Sequence, residues 1–320
     1  MKKNPWVMLF LLLFVFVSLF AFLLGTSVIS LFGGREPSLR VMPRNSIMHL
    51  KLEGVIMDGE KFLKTLKKYR EEKSIKAFVI EVNSPGGVVG PSQEIYEELN
   101  RTRTEFKKPV VAVSPGMIAS GAFYAAMGAD KLIVAPGAMV GSIGVIMEFA
   151  NLEKLYDWAK VTRFTINTGK YKDSGAEYRA MRDDERQLFQ DMINEVWEQF
   201  KEAVAKGRNM KYDDVQAYAD GRVMTGASAV KIGFADEVGT VDHAFKVAAD
   251  LAGIEKYEIF DIPKKRPGLF DLISGSDDED AFSQLAGKMK GQVGDHLLNQ
   301  VLRADLMNQP LFLLPGYWPH

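Results

Sequence analysis

Ser120 lies in the middle of SPGMIASGAFYAAMGADKL, residues 114–132, a stretch built mostly from Gly, Ala and other small residues. A serine attacks a carbonyl when a base removes its proton and when N–H groups meet the charge that forms on the carbonyl oxygen. ASGAFYAA can open a helix at Ser120, and Gly121 supplies an N–H directly after it. The SPGG turn at 84–87 can supply a second, because paired glycines let backbone approach a substrate closely. Taken alone, ASGA reads more simply as close helix packing. A base must also be found. The histidines are His49, His243, His296 and His320. None falls in a glycine-rich loop, so a Ser-His-Asp arrangement is not expected. A lysine kept neutral by burial can replace histidine. NTGKYKDSG at 167–175 offers Lys170 and Lys172, and the residues alone do not choose between them. With no cysteine in the chain, thiol catalysis, disulfides and cysteine metal sites are excluded.

These groups need a scaffold that brings them together. IKAFVIEV, PVVAVS and KLIVA are short, apolar, β-branched runs of the kind that form buried strands. Glycine-rich turns follow them: NSPGG, SPGMIASG and VGSIG. Helical spacing separates the strands, in GEKFLKTLKKYREEK and in SQEIYEELNRTRTEF. This alternation predicts an α/β domain with mostly parallel strands, whose carboxyl ends gather the three turns at one edge. SIMHLKLEGVIM reads as strands with a turn near Glu53-Gly54, and VTRFTI at 161–166 as a further strand. Leu188, Met192, Val196, Phe200 and Val204 mark an amphipathic helix from Asp183 to Lys206, ended by Gly207. TGASAVKIGFADEVG predicts a short helix, a glycine turn and a last strand or loop.

The ends differ from this pattern. NPWVMLFLLLFVFVSLFAFLLGTSVISLF, residues 4–32, carries no charge, and its core from Trp6 to Leu24 has the roughly 20 apolar residues a bilayer requires. Lys2 and Lys3 precede it. The expectation is an uncleaved single-pass anchor with the N-terminus inside and the remainder on the extracytoplasmic, or periplasmic, side of the cytoplasmic membrane. The net charge of −1 offers nothing for nucleic acid. Beyond PKKRPG the chain is acidic and polar through SGSDDEDAFSQ, then apolar in PLFLLPGYWPH. That last segment could occupy a substrate groove or be trimmed by the protein itself. Packing on a neighbouring protomer or a membrane surface is the plainer expectation.

VNSPGG, MIASGAFYAA, GSIGVIME, TGKYKDSG and ADGRVMTGASAVKIGFADEVG, in that order, resemble the signal peptide peptidase A family of membrane-anchored serine proteases. The resemblance covers roughly residues 45–250 and fits the short, single-domain form. It implies a ClpP/crotonase-like α/β fold of repeated ββα units, preceded by one transmembrane helix. It implies a Ser-Lys dyad: Ser120 as nucleophile, Lys172 as general base, and Ser142 orienting the lysine. The oxyanion hole would be the N–H groups of Gly87 and Gly121, with Gly86 the second choice. Where the family usually has two glycines after the nucleophile, this chain has Gly121-Ala122. The implied substrates are remnant signal peptides and other unfolded or apolar segments. The implied assembly is a homo-oligomeric ring in which one protomer's lysine serves its neighbour's serine. No cofactor or metal is implied.

The resulting division is 1–45 for cytoplasmic N-terminus, anchor and linker, 46–262 for the protease domain, and 263–320 for a partly linker-like tail. Two further readings remain in view: a partner-specific membrane protease, and an inactive membrane scaffold of the same fold. The crotonase-like acyl-CoA enzymes share the fold, but they act through carboxylates, and the YKD lysine speaks against them.

Overall fold

The computed structural model describes residues 43–262 and 309–313, with Ser18 alone ahead of them. Its centre is a six-stranded sheet in the order β10-β1-β2-β4-β6-β9, with every neighbouring pair parallel. The strands are β1 (Ser46–Glu53), β2 (Ile75–Asn83), β4 (Val110–Ser114), β6 (Lys131–Val134), β9 (Glu237–Val238) and β10 (Glu258–Asp261). A parallel sheet has to be covered on both faces. The apolar runs predicted as strands do this, since every residue of β4 is buried.

Side chains alternate between the two faces. On one face Ile47, Val79, Val111 and Ile133 pack on Phe245 and Ala248 of α8 (Val241–Leu251). On the other, Met48, Phe78, Ile80 and Leu132 lie under α1 (Glu60–Arg70), α2 (Val89–Thr104) and α3 (Gly121–Ala126). Those three helices connect successive strands, so a single crossover hand puts them on one side. The helix α8 lies between β9 and β10 in sequence, and covers the opposite face.

Each of β2, β4 and β6 turns tightly into a short strand: β3 (Gly86–Val88), β5 (Met117–Ala119) and β7 (Met139–Gly141). β5 and β7 pair in parallel, and β8 (Val223–Thr225) adds to β7 antiparallel. These short strands and their turns stand at the carboxyl edge of the large sheet and position the site. The remaining helices are α4 (Glu153–Ala159), α5 (Asp183–Arg208), α6 (Tyr212–Gln216) and α7 (Gly226–Ile232).

Four expectations are corrected. VTRFTI forms no strand: Val161, Phe164 and Ile166 are exposed, and the segment pairs with no strand among the described residues. The long helix continues past Gly207 to Arg208, and Asn209 ends it in the left-handed conformation at φ 50°. The glycine is kept for another reason, since a Cβ there would lie 2.7 Å from the Met127 carbonyl oxygen. The apolar tail also departs from expectation. Leu311–Leu313 forms β11, within the same compact unit as residues 43–262, and pairs antiparallel with this chain's own β3. Finally, a single-pass membrane protein with its catalytic domain outside is not supported. Among the described residues no helix is long and apolar enough to cross a membrane. The run Trp6–Leu24 on which that expectation rested lies outside the described residues.

Candidate active site

Ser120 joins β5 to α3 with φ 50° and ψ −118°. A non-glycine residue in such a region costs about 1–3 kcal/mol and persists only where its surroundings enforce it. Here they do. The Ser120 N–H donates to the Gly141 carbonyl at 2.8 Å, and the Ser120 carbonyl accepts from the Tyr124 N–H at 2.8 Å. The residue is 1% exposed.

Backbone from the β2–β3 turn meets it. Gly86 has φ +97°, and a Cβ there would collide with the Phe312 carbonyl and lie 2.6 Å from the Gly121 nitrogen. A Cβ on Gly121 would collide with Ser92 Oγ and lie 3.0 Å from the Phe312 oxygen and 3.1 Å from the Gly87 nitrogen. Only glycine permits this approach, so the NSPGG and ASGA motifs meet in space although they are far apart in the chain. The two candidate amides differ in what they already hold. The Gly86 N–H donates to Ser84 Oγ at 3.2 Å, whereas Gly87 faces Phe312 across the β3–β11 ladder.

Ser142 follows Gly141 and is also strained, with φ 54°. It is largely buried, and its N–H donates to the Arg222 carbonyl at 2.8 Å. Ser142, Ile146, Asn194, Trp197 and Leu313 are among the residues lining a cavity of about 530 Å³.

The structure therefore brings together Ser120, Gly86, Gly87, Gly121 and Ser142. It does not bring Lys172 to them. Lys172 is exposed in a turn, its N–H donating to the Gly169 carbonyl at 3.1 Å, and its side chain makes no hydrogen bond or ion pair among the described residues. Lys170 is occupied. It pairs with Asp184 at 2.5 Å, and the hydrogen bond its ammonium donates to that carboxylate holds it above the ordinary lysine range.

The segment bearing both lysines is pinned from below. Glu185, fully buried, accepts from Arg179 Nη1 at 2.9 Å and Nη2 at 2.6 Å, and from the Arg182 N–H at 2.9 Å. Arg179 also donates to the Asp173 carboxylate at 3.2 Å and to the Asp173 carbonyl at 3.0 Å. Hydrogen bonds from Arg179 hold both carboxyls below their usual range.

Sequence reasoning missed Tyr124 and Phe200, whose rings flank Phe312 beside the site. Two signals were present: Tyr124 lies four residues after Ser120 on a helix, and Phe200 belongs to the apolar stripe of α5. His49, set aside in the sequence because it falls in no glycine-rich loop, has two carboxylates beside it: Glu81 lies 2.9 Å from one ring nitrogen and Asp261 2.7 Å from the other, with the ring edge-on to Phe245 on the α8 face. His243 is paired with Glu237 at 2.7 Å. His296 and His320 lie outside the described residues. No group of three or more His, Asp or Glu side chains among the described residues is placed to hold a metal ion.

The description of peptidase family S49 matches residues 102–255, which include Ser120, Ser142 and Lys172. The chain is 37% identical over 240 residues to a candidate protease of Synechocystis sp., covering 74% of this chain and 85% of that protein. It is 32% identical over 283 residues to a candidate protease of Methanocaldococcus jannaschii, covering 84% and 90%. It is 31% identical over 255 residues to the chloroplastic serine protease SPPA of Arabidopsis thaliana, covering 77% of this chain and 37% of that longer protein.

Proposed function

Since the chain belongs to the signal peptide peptidase A family of serine peptidases, peptidase family S49, we propose that it hydrolyses remnant signal peptides and other unfolded or apolar segments with a Ser120–Lys172 dyad. One observation carries this reading: Ser120, strained and buried, sits where the amides of Gly87 and Gly121 converge. The repeated strand–turn–strand–helix units are read, on the same footing, as the ClpP/crotonase-like fold.

The proposed reaction is a two-step acyl transfer. Neutral Lys172 takes the Ser120 proton as Oγ attacks the peptide carbonyl, and the Gly87 and Gly121 N–H groups receive the oxyanion. The lysine then protonates the leaving amine, and water hydrolyses the acyl-enzyme. Ser142 orients the lysine. Gly87 is preferred to Gly86 because the Gly86 N–H is already given to Ser84.

A lysine in an exposed turn of its own chain has to reach a buried serine. We place it on the serine of a neighbouring protomer in a homo-oligomeric ring. Two observations support this. The cavity beside Ser142 has room for an incoming side chain. The segment ahead of Lys172 also exposes Leu155, Trp158, Val161, Phe164 and Ile166, apolar surface of the kind that partners cover.

The first test is cleavage of an apolar fluorogenic peptide by the full chain. Ser120→Ala and Lys172→Ala should each lower kcat by about 10⁴-fold or more. Activity surviving Ser120→Ala would remove the assignment.

A further inference from the structure

A groove continues past the Ser142 cavity along one face of α5. Ile193, Asn194 and Trp197 line the cavity beside Ser142. Ile193 and Gln190 also line a second cavity, of about 450 Å³, together with Arg186 and Phe189. These positions recur at helical spacing, so one face of α5 forms a wall common to both cavities. Each volume is that of a ligand pocket. The wall is firm at the Ser142 end. There the Trp197 indole N–H donates to the Ala219 carbonyl at 2.9 Å, and the Lys201 ammonium sits 3.8 Å from the centre of the Trp197 ring.

The second cavity has two kinds of lining. Phe149 and Phe189 pack with ring centroids 4.6 Å apart, and Met147 and Met181 line it too. Methionine adapts to side chains of different shape. Two arginines add charge. The Arg179 guanidinium is already given to the Glu185 and Asp173 carboxylates. Arg186 is exposed, and its side chain has no hydrogen bond or ion pair among the described residues. A guanidinium keeps its charge at any working pH and meets a carboxylate with two parallel N–H groups. The uncommitted charge in this cavity is therefore positive, and it stands beside an apolar wall.

The helix also sets a spacing. Arg186 and Trp197 stand about 16 Å apart along its axis, and an extended peptide covers that length in about five residues. We propose that the substrate peptide runs along this face of α5, and that Arg186 is a specificity-determining residue that takes an acidic side chain about four to six residues from the scissile bond. Apolar neighbours of that acidic residue lie on Phe149 and Phe189. This rests on the Ser120–Ser142 site being where the peptide is cut. Because Arg186 is exposed, solvent and salt screen the contact, and its effect is modest. The charge meets the same group in the ground and transition states, so the effect falls on KM and not on kcat.

The test uses the full chain and a set of apolar fluorogenic peptides, amidated at the C-terminus, that differ at one residue. Asp, Asn or Lys is placed about four to six residues from the scissile bond, on either side in turn. At the position that reaches Arg186, KM should be about fivefold lower for Asp than for Asn and higher still for Lys, with kcat alike, and the difference should shrink in about 0.5 M salt. Arg186→Glu should invert the order, with Lys favoured over Asp, and Arg186→Gln should bring the three peptides level. Binding is read separately in a Ser120→Ala background, where nothing is hydrolysed, by labelled forms of the same peptides, whose Kd values should follow the same order. Equal KM at every position, equal Kd at every position, or an Asp preference that Arg186→Glu leaves intact would each overturn the assignment. Hydrolysis persisting in Ser120→Ala would remove the dyad, while the order of KM across the Arg186 variants would still report the groove.

Discussion

Ser120 and Ser142 share an unusual property. Both are non-glycine residues at positive φ, near 50°, and the N–H of one is bonded to the carbonyl that immediately precedes the other. The two strained residues thus report one local constraint, the end of the parallel β5–β7 pairing, where Ala119 faces Gly141. The proposed choice of lysine is also argued at this scale. Lys170 is held as a cation by Asp184, and a group whose ammonium is stabilised is the wrong one to accept a proton. Lys172 carries no such partner among the described residues. Lys170→Ala should therefore retain hydrolysis within about twofold of the parent, whereas Lys172→Arg should be as inactive as Lys172→Ala, because a guanidinium does not give up its proton. Comparing kcat/KM among the three variants checks this, and a Lys170→Ala chain that loses activity while Lys172→Arg keeps it would reverse the assignment.

At the scale of elements, the Arg179–Glu185–Asp173 network decides how firmly the lysine turn is held. Glu185 is buried at the start of α5, and its loss would take from Arg179 one of its two carboxylate partners and from the Arg182 N–H its acceptor. Removing one member of a buried pair costs about 3 kcal/mol or more, which for a domain of this size lowers Tm by about 6 °C or more. Glu185→Ala should show that fall together with proteolytic cleavage in 170–182 that the parent resists. The same network sets a pH limit. Both carboxyls are depressed in the folded state, so their contribution is complete above the unfolded values, about 4, and drains away as pH falls below them. Protection of the 170–182 amides from exchange, taken relative to the intrinsic rate at each pH, should be high at pH 7 and 5 and low at pH 3, and a turn equally protected at pH 3 would refute the linkage.

Local patterning explains which elements were legible. IKAFVIEV, PVVAVS and KLIVA read as strands because both faces are buried, and the four-residue stripe through Phe200 gave α5. VTRFTI carries the same β-branched composition but pairs with no strand among the described residues, and composition cannot distinguish a strand from an exposed segment of the same residues. The NSPGG and ASGA turns were legible as glycine chemistry. Their convergence, and the pairing of Leu311–Leu313 with β3, depend on contacts between distant parts of the chain that no local pattern records.

On the scale of the whole molecule, one chain assembles every proposed element of the site except the base. A buried serine lies with two amides beside it, and the exposed lysine turn follows an exposed apolar segment in the chain. A heterologous contact that repeats around a ring would complete each site from two protomers. Chains carrying Ser120→Ala and chains carrying Lys172→Ala would each be inactive alone. Mixed and reassembled at equal ratio, random neighbours would pair an intact serine with an intact lysine at about a quarter of the sites. Recovery of roughly that fraction of the parent's kcat is the expected outcome. A mixture as inactive as its components, under conditions where the parent exchanges subunits and regains activity, would place the base within its own chain. The lysine turn would then have to fold over Ser120 during catalysis. Trp158→Asp separates the two cases further, since a charge on the apolar segment should abolish recovery in the mixture if that segment is covered by the neighbour, and should leave a self-contained chain active.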